Sequence, residues 1–283
     1  IIAREAKEDN HAPLYDEDAV RQAFENWETL PYEKDMVLGS GLHIRFRDAG
    51  HILGSAMLEI THNDKKMVFS GDLGNSPGPL MHDTALLSGI NYLVMEAVYG
   101  SSLHEDHAER THLLEGVIED TVKRAGVLMI PAFSIERTQE LLVELNDLVE
   151  GKKIPEIPVF VDSPLAIKVT QVYRDNEGYL NKGATDAIAS GDDIFKFPKL
   201  RFTERSADSI AIKNVPAPKI VIAGAGMSNG GRILHHERNY LSDPKNTLLL
   251  IGYQAIWTMG RALQEGVKSV KIMDEDVVVR AKI

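Results

Sequence analysis

From about Asn91 onward, short apolar runs alternate with stretches of helical periodicity, and this alternation restricts the fold of the 283-residue chain more than any other feature. Val127 to Ile130 precedes a helical stretch from Ile135 to Val149, and Pro158 to Val161 precedes Leu165 to Tyr173. Ile220 to Ala223 precedes Gly231 to Tyr240, and Leu248 to Ile251 precedes Trp257 to Leu263. Strand-then-helix units repeated in this way predict a parallel sheet flanked by helices, with ligands bound beyond the carboxyl ends of its strands. Asn176 to Lys199, rich in Gly and Asp with weak periodicity, reads as a loop or small subdomain.

Before Asn91 the period falls to two. Leu42 to Phe46 alternates apolar residues with His43 and Arg45, Ser55 to Thr61 also has strand character, and the tetrad His62-Asn63-Asp64-Lys65 separates it from Met67-Val68-Phe69. A hairpin within an antiparallel sheet follows. Ahead of it, Asp16 to Trp27 reads as a solvated, acid-rich helix in a segment of 40 residues with 4 basic and 10 acidic side chains.

Cysteine is absent, so there is no disulfide framework, thiolate zinc site or cysteine nucleophile, and a transition metal must be held by His, Asp or Glu. No apolar run approaches the roughly 18 to 20 residues of a membrane helix. The first residues show neither an initiator Met nor a signal-peptide profile, and the chain stops inside the apolar alternation of Val277 to Ile283, so a piece of a longer protein is expected. The net charge of −11 speaks against a protein that coats itself in nucleic acid. Between residues 219 and 261, however, Lys219, Arg232, Arg238, Lys245 and Arg261 face only Glu237 and Asp243, which predicts a positive patch on the strand-carboxyl edge of the second part.

Three strand ends before residue 100 offer chemistry. His51 sits in the turn Asp48-Ala49-Gly50-His51-Ile52-Leu53-Gly54-Ser55, whose glycines let the backbone turn and the imidazole project. Asp72 ends an apolar strand in Ser70-Gly71-Asp72, where its carboxylate can ligate or bridge cations. Glu96 ends Tyr92-Leu93-Val94-Met95, a position where burial is costly unless the acid orients a neighbour or a metal ligand. Each has an ordinary alternative, a turn cap or an Asx-turn; together they form a His/carboxylate set suited to a metal.

Two strand-to-helix turns are candidate anion sites. Gly224-Ala225-Gly226-Met227-Ser228-Asn229-Gly230-Gly231-Arg232 offers backbone amides at a helix N-terminus and a guanidinium, yet fits neither the dinucleotide fingerprint nor the P-loop. Pro131-Ala132-Phe133-Ser134-Ile135-Glu136-Arg137 offers a hydroxyl and a guanidinium. An ordinary N-cap with a surface arginine accounts for either equally well.

These segments, in order, resemble the β-CASP family of metallo-β-lactamase-fold ribonucleases, in particular bacterial and archaeal members related to the pre-mRNA 3′-end cleavage nuclease. The resemblance also rests on Met95 to Gly100, Val161-Asp162-Ser163-Pro164-Leu165-Ala166, the run Gly226 to His236, Gly252-Tyr253-Gln254 and Gly260-Arg261. It implies part of an αββα metallo-β-lactamase sandwich over 1–102, a β-CASP domain over 103–262 and a return segment over 263–283. It further implies a zinc-dependent, cytoplasmic hydrolase of RNA phosphodiester bonds that uses two Zn2+ ions in its intact form and acts in the cleft between the two domains. By the same resemblance His51 and Asp72 are metal ligands, Asp72 and Glu96 are catalytic, and Ser134, Arg137, Ser228, Gly230 and Arg232 face RNA.

The chain departs from the family pattern in places. No His-x-His-x-Asp-His cluster occurs in residues 1 to 50, Ala97-Val98 stands where Ser-Thr is usual, and Ile256-Trp257 replaces the usual Glu-Gly ahead of Thr258. The expectation is therefore a metal site that these residues leave incomplete, in a fragment that does not cleave RNA by itself. Two other readings stand beside it: a non-catalytic RNA-binding or assembly module, and a metallo-hydrolase of another phosphoester. Oligomeric state is left open, a homodimer being one reading.

Overall fold

Strand register gathers the chemistry-bearing turns at the ends of two five-stranded sheets. The computed structural model describes residues 12–101 and 107–283, so the domain boundary expected at 102/103 lies outside the described residues.

Helix α1 (Glu17–Glu25) opens the described chain; Asp16 caps it by accepting from the Ala19 amide at 2.8 Å, and none of its residues is buried. Strands β1 (Asp35–Leu38), β2 (Leu42–Asp48), β3 (Ala56–His62), β4 (Lys65–Phe69) and β5 (Tyr92–Val94) form the first sheet in that order. Its pairs are antiparallel except β4 with β5. The β3–β4 hairpin turns at Asn63 and Asp64, whose positive φ of 45° and 59° suits a two-residue turn. The β2–β3 ladder ends at Asp48 opposite Ala56, and Phe69 lies opposite both Leu58 and Val94. The turns 49–55, 70–74 and 95–98 therefore emerge at one end of the sheet. Ala49, Met57 and Val68 form a small core on one side, while Tyr92, Leu93 and Val94 of the edge strand are exposed.

The second part contains α2 (His107–Lys123), β6 (Val127–Pro131), α3 (Arg137–Glu150), β7 (Val159–Asp162), α4 (Pro164–Asp175), α5 (Lys182–Ala189) and β8 (Leu200–Phe202). It continues through α6 (Ser206–Ala211), β9 (Lys219–Ala223), α7 (Ile233–Tyr240), β10 (Thr247–Leu248) and α8 (Met259–Gln264) to the hairpin β11 (Ser269–Ile272) and β12 (Glu275–Val278). Strands β10-β6-β9-β7-β8 pair in parallel, in that order, as the strand-then-helix alternation predicts.

The two-residue period of each strand divides its side chains between two cores. Leu128, Ile130, Ile220 and Ile222 pack on one side with Leu142 and Leu145 of α3; Val127, Met129 and Val221 pack on the other with Ile233, Leu263, Val270 and Ile272. Burial of each such side chain stabilises the fold by roughly 1.5–3 kcal/mol before entropy is set against it. The sheet is thus covered on both faces, an α/β arrangement with helices flanking a parallel sheet.

The stretch 176–199 is packed rather than a bare loop. Asn181 caps α5 through the Ala184 amide, and Ile194, Phe195 and Phe197 are buried in the main core. Three apolar residues crowded into 194–197 set up neither a helical nor a strand period. In the segment assigned to a return into the first part, Val270, Ile272, Val277 and Ala281 join the core of the second sheet, and the Leu248 amide donates to the Lys282 carbonyl at 2.8 Å.

The two parts meet through residues 78–81. Leu80 and Met81 enter the main core with Leu180, the Asn181 amide donates to the Leu80 carbonyl at 2.9 Å, and the Asn181 side chain donates to the Gly78 carbonyl at 3.0 Å.

Candidate active site

The turn carrying His51 is held by its own side chains. Ser55 Oγ accepts from the amides of His51 and Ile52, both at 3.1 Å, and Asp48 Oδ1 accepts from the Gly50 amide at 2.8 Å. Gly50 has a φ of +64°, and a Cβ on Gly74 would stand 1.7 Å from the Gly50 carbonyl oxygen. This backbone-on-backbone contact brings the His51 and Asp72 turns together, with His51 Nε2 3.8 Å from Asp72 Oδ2. Asp72 is largely open to solvent, its side chain 74% exposed.

Glu96 supports this arrangement. Its Oε1 accepts from the Leu73 amide at 2.8 Å, its Oε2 from the Val98 amide at 3.3 Å, and its own amide donates to Ser70 Oγ at 3.1 Å. The carboxylate therefore fixes the backbone after Asp72, and the amide the Ser70 side chain before it, to the end of β5.

The second sheet faces this end with its strand-carboxyl edge. Pro131 and Asp162 both pair with Ala223, so the turns after β6, β7 and β9 leave together. Ser134 Oγ lies 3.2 Å from Ser163 Oγ, and Ser163 caps α4. Arg137 donates to Glu140 Oε2 at 2.7 Å. Between the two edges lies a cavity of about 880 Å³, with His51, Asp72 and Glu96 on one wall and Ser134, Arg137 and Tyr253 on the other. Of the residues singled out in the sequence, these five besides Tyr253 are brought together.

Ser228, Gly230 and Arg232 are not part of the cavity wall. Ser228 is buried and donates to Glu237 Oε1 at 2.5 Å. Arg232 donates to Asp162 Oδ1 at 2.8 Å and to the carbonyls of Thr203 and Glu204 at 2.8 and 2.7 Å. Asp162, fully buried, also accepts from Thr203, Ser209 and His236 at 2.7–2.8 Å. Burial alone would raise its carboxyl, but hydrogen bonds led by that of His236 outweigh it and hold the group at about 2. This network anchors the Gly-rich turn from behind.

The expected positive patch does not form at the strand-carboxyl edge. Lys219 opens β9 at the opposite end, buried, with Nζ donating to the carbonyls of Ile212 and Val215, both at 2.7 Å. Arg232 pairs with Asp162, Arg238 with Glu275 and Arg261 with Glu265, so sequence-local charge excess is largely neutralised in space.

Four residues of the cavity wall escape sequence reasoning in whole or part: Arg110, Phe133, Glu136 and Tyr253. Glu136 is the least expected, with a φ of 62° and only 4% exposure. Burial pushes its carboxyl up to about 8 against the lowering effect of a hydrogen bond from Tyr173. Tyr173 in turn accepts from the Leu53 amide at 3.1 Å, inside the His51 turn. The only sequence signal for this link is an acidic residue at the start of a helix.

Zinc suits a nitrogen–oxygen donor pair such as His51 and Asp72 in chemical type. In number the donors fall short, since no group of three or more His, Cys, Asp or Glu able to hold a metal occurs among the described residues. The pair fits the edge of a metal site and does not complete one.

Residues 138–263 match the sequence pattern of the Beta-Casp domain. Residues 138–263 are thus a β-CASP domain by similarity. Across its whole length the chain is 31% identical to Ribonuclease TTHA0252 of Thermus thermophilus, covering 65% of that protein. It is 33% identical to the RNase J-like protein of Methanocaldococcus jannaschii over 97% of this chain and 64% of the relative. It is 30% identical to transcription termination factor FttA of Methanosarcina mazei over 94% of this chain and 42% of the relative. The chain thus spans less than two thirds of the length of these relatives. The matched region contains Ser228, Gly230, Arg232 and Tyr253, while His51, Asp72 and Glu96 lie before it.

Proposed function

We propose that these residues form the RNA-holding part of a zinc-dependent hydrolase of RNA phosphodiester bonds, with His51 and Asp72 as two of the metal's donors. The observation that carries this reading is the shared cavity, in which the first sheet's His51, Asp72 and Glu96 oppose Ser134 and Arg137 of the second. Similarity to proteins named ribonuclease and RNase J-like points the same way. Arg137 offers a guanidinium to a backbone phosphate, Ser134 a hydroxyl, and Glu96 keeps the Asp72 turn in place. A zinc ion at such a site would supply Lewis-acid polarisation of a phosphoryl oxygen and acidify a water. A cytoplasmic location belongs to the same proposal, and no described helix is long and apolar enough to cross a membrane.

A second reading, RNA binding without cleavage by the 283 residues themselves, is favoured by the absence of a third metal donor among the described residues. The two are separated by metal analysis and an RNA cleavage assay on the 283-residue chain. Weak zinc binding without cleavage is expected. Tight binding of two zinc ions, or cleavage abolished by Asp72→Ala, would show that the chain completes its metal site and overturn the two-donor account.

A further inference from the structure

Trp257 stands 97% exposed on the loop between β10 and α8, with Ile256 beside it 63% exposed. Its φ is 73°, a backbone conformation that bulky L-residues adopt rarely and that glycine adopts freely. Burial does not explain the residue, and its backbone carries strain in a loop that is otherwise tightly specified. Gln254 Nε2 donates to the carbonyls of Gly226 and Gly252 at 3.1 and 2.9 Å, the Met259 amide donates to Asn229 Oδ1 at 3.0 Å, and the Gly260 amide to the Met227 carbonyl at 3.0 Å. Gly260 also packs closely on the Gln254 amide, since a Cβ there would stand 1.8 Å from Gln254 Oε1. The indole is therefore presented to solvent on a rigid turn laced to the Gly-rich turn 224–231. Strain of this kind, held in place by its surroundings, marks positions with a task.

We propose that Trp257 is a stacking platform for an unpaired nucleobase of an RNA strand running past the Gly-rich turn. A single flat ring on a rigid support matches the π-face that every base offers. A docked protein would need a contiguous apolar patch, whereas within residues 254–260 only Ile256 joins Trp257 as an exposed large apolar side chain. Stacking also fits an edge whose cations are largely paired internally, since it draws affinity from the base rather than the phosphate. The inference rests on the RNA reading above and adds a contact outside the cavity.

The test uses the 283-residue chain carrying Trp27→Phe, which leaves Trp257 as its one tryptophan. Indole fluorescence is followed during titration with a single-stranded oligoribonucleotide and with a duplex of the same sequence, alongside filter binding. Quenching that saturates with single-strand binding and is absent with duplex is expected. Trp257→Gly should weaken single-strand binding roughly five- to hundredfold while melting at an equal or higher temperature, because glycine relieves the positive φ. Trp257→Phe should retain most of the affinity. Binding without quenching, or unchanged in Trp257→Gly, overturns the stacking role and leaves the RNA reading intact. Concentration-dependent self-association lost in Trp257→Gly assigns the ring to a contact between copies and overturns it too, and no RNA binding of any kind overturns both.

Discussion

Tyr173 donates its phenolic hydrogen to the buried carboxyl of Glu136 and accepts from the Leu53 amide, so a helix of the second part holds the turn that presents His51. The two walls of the cavity are joined by this relay as well as by the residues around Leu80. Removing the hydroxyl in Tyr173→Phe leaves a part-buried amide and a buried carboxyl without their partner. A loss of about 1–3 kcal/mol is expected, read by urea denaturation. An unchanged midpoint would mean that the relay does not tie the walls together.

Stability should fall as the pH rises through neutrality. Glu136 and Glu237 are both pushed up to about 8 by burial, from an ordinary value of 4.5. A group raised in the folded state binds more protons there than when unfolded, so its contribution is complete below the unfolded value and is lost as pH rises through the folded one. Melting temperatures taken from about pH 5 to pH 9 should decline, and Glu136→Gln should flatten the decline. A melting temperature that rises across this range contradicts the burial argument.

Asp162 acts in the opposite sense. Held at about 2, below its ordinary 3.8, it contributes stability above the ordinary value that is lost as pH falls through the folded one. Asp162→Ala strands the Arg232 guanidinium and His236 and should cost about 3–5 kcal/mol. Amide exchange at 224–232 should speed up by more than elsewhere in the second sheet. Uniform acceleration would show that the network does not anchor the Gly-rich turn in particular. Arg232→Ala should accordingly lower stability, a consequence of its internal hydrogen bonds.

Gly74 is where the turns of His51 and Asp72 touch. A methyl group there meets the Gly50 carbonyl at 1.7 Å, so Gly74→Ala must part the turns of His51 and Asp72. Zinc affinity measured by competition with a chromogenic chelator should drop at least tenfold, while the melting of the second sheet should hardly change. Equal zinc affinity in this variant contradicts the pairing of His51 with Asp72.

The parallel sheet was legible because Val127 to Ile130 and Ile220 to Ala223 are continuous apolar runs followed by helical periods, a pattern set by burial on both faces. That His51, Asp72 and Glu96 lie close together was legible because each follows a strand end, and strand register brings those ends together. Arg232 was misleading: a guanidinium at a helix start looks the same whether it meets an external anion or the buried Asp162, which lies 70 residues earlier in the chain. The charge excess of 219–261 failed likewise, since Lys219 opens β9 and Lys245 precedes β10, so both sit at the end away from the cavity. Glu136 and Tyr173 were hidden because their link depends on the packing of α4 against the His51 turn, which no local period records.

RNA held in the cavity between the two sheets is the central proposal. Filter binding of single-stranded RNA to the 283-residue chain, at low and physiological salt and with Arg137→Ala alongside, tests this most directly. Binding that weakens as salt rises and weakens again in Arg137→Ala is the expected result. Binding that is absent, insensitive to salt, or unaffected by Arg137→Ala would contradict it.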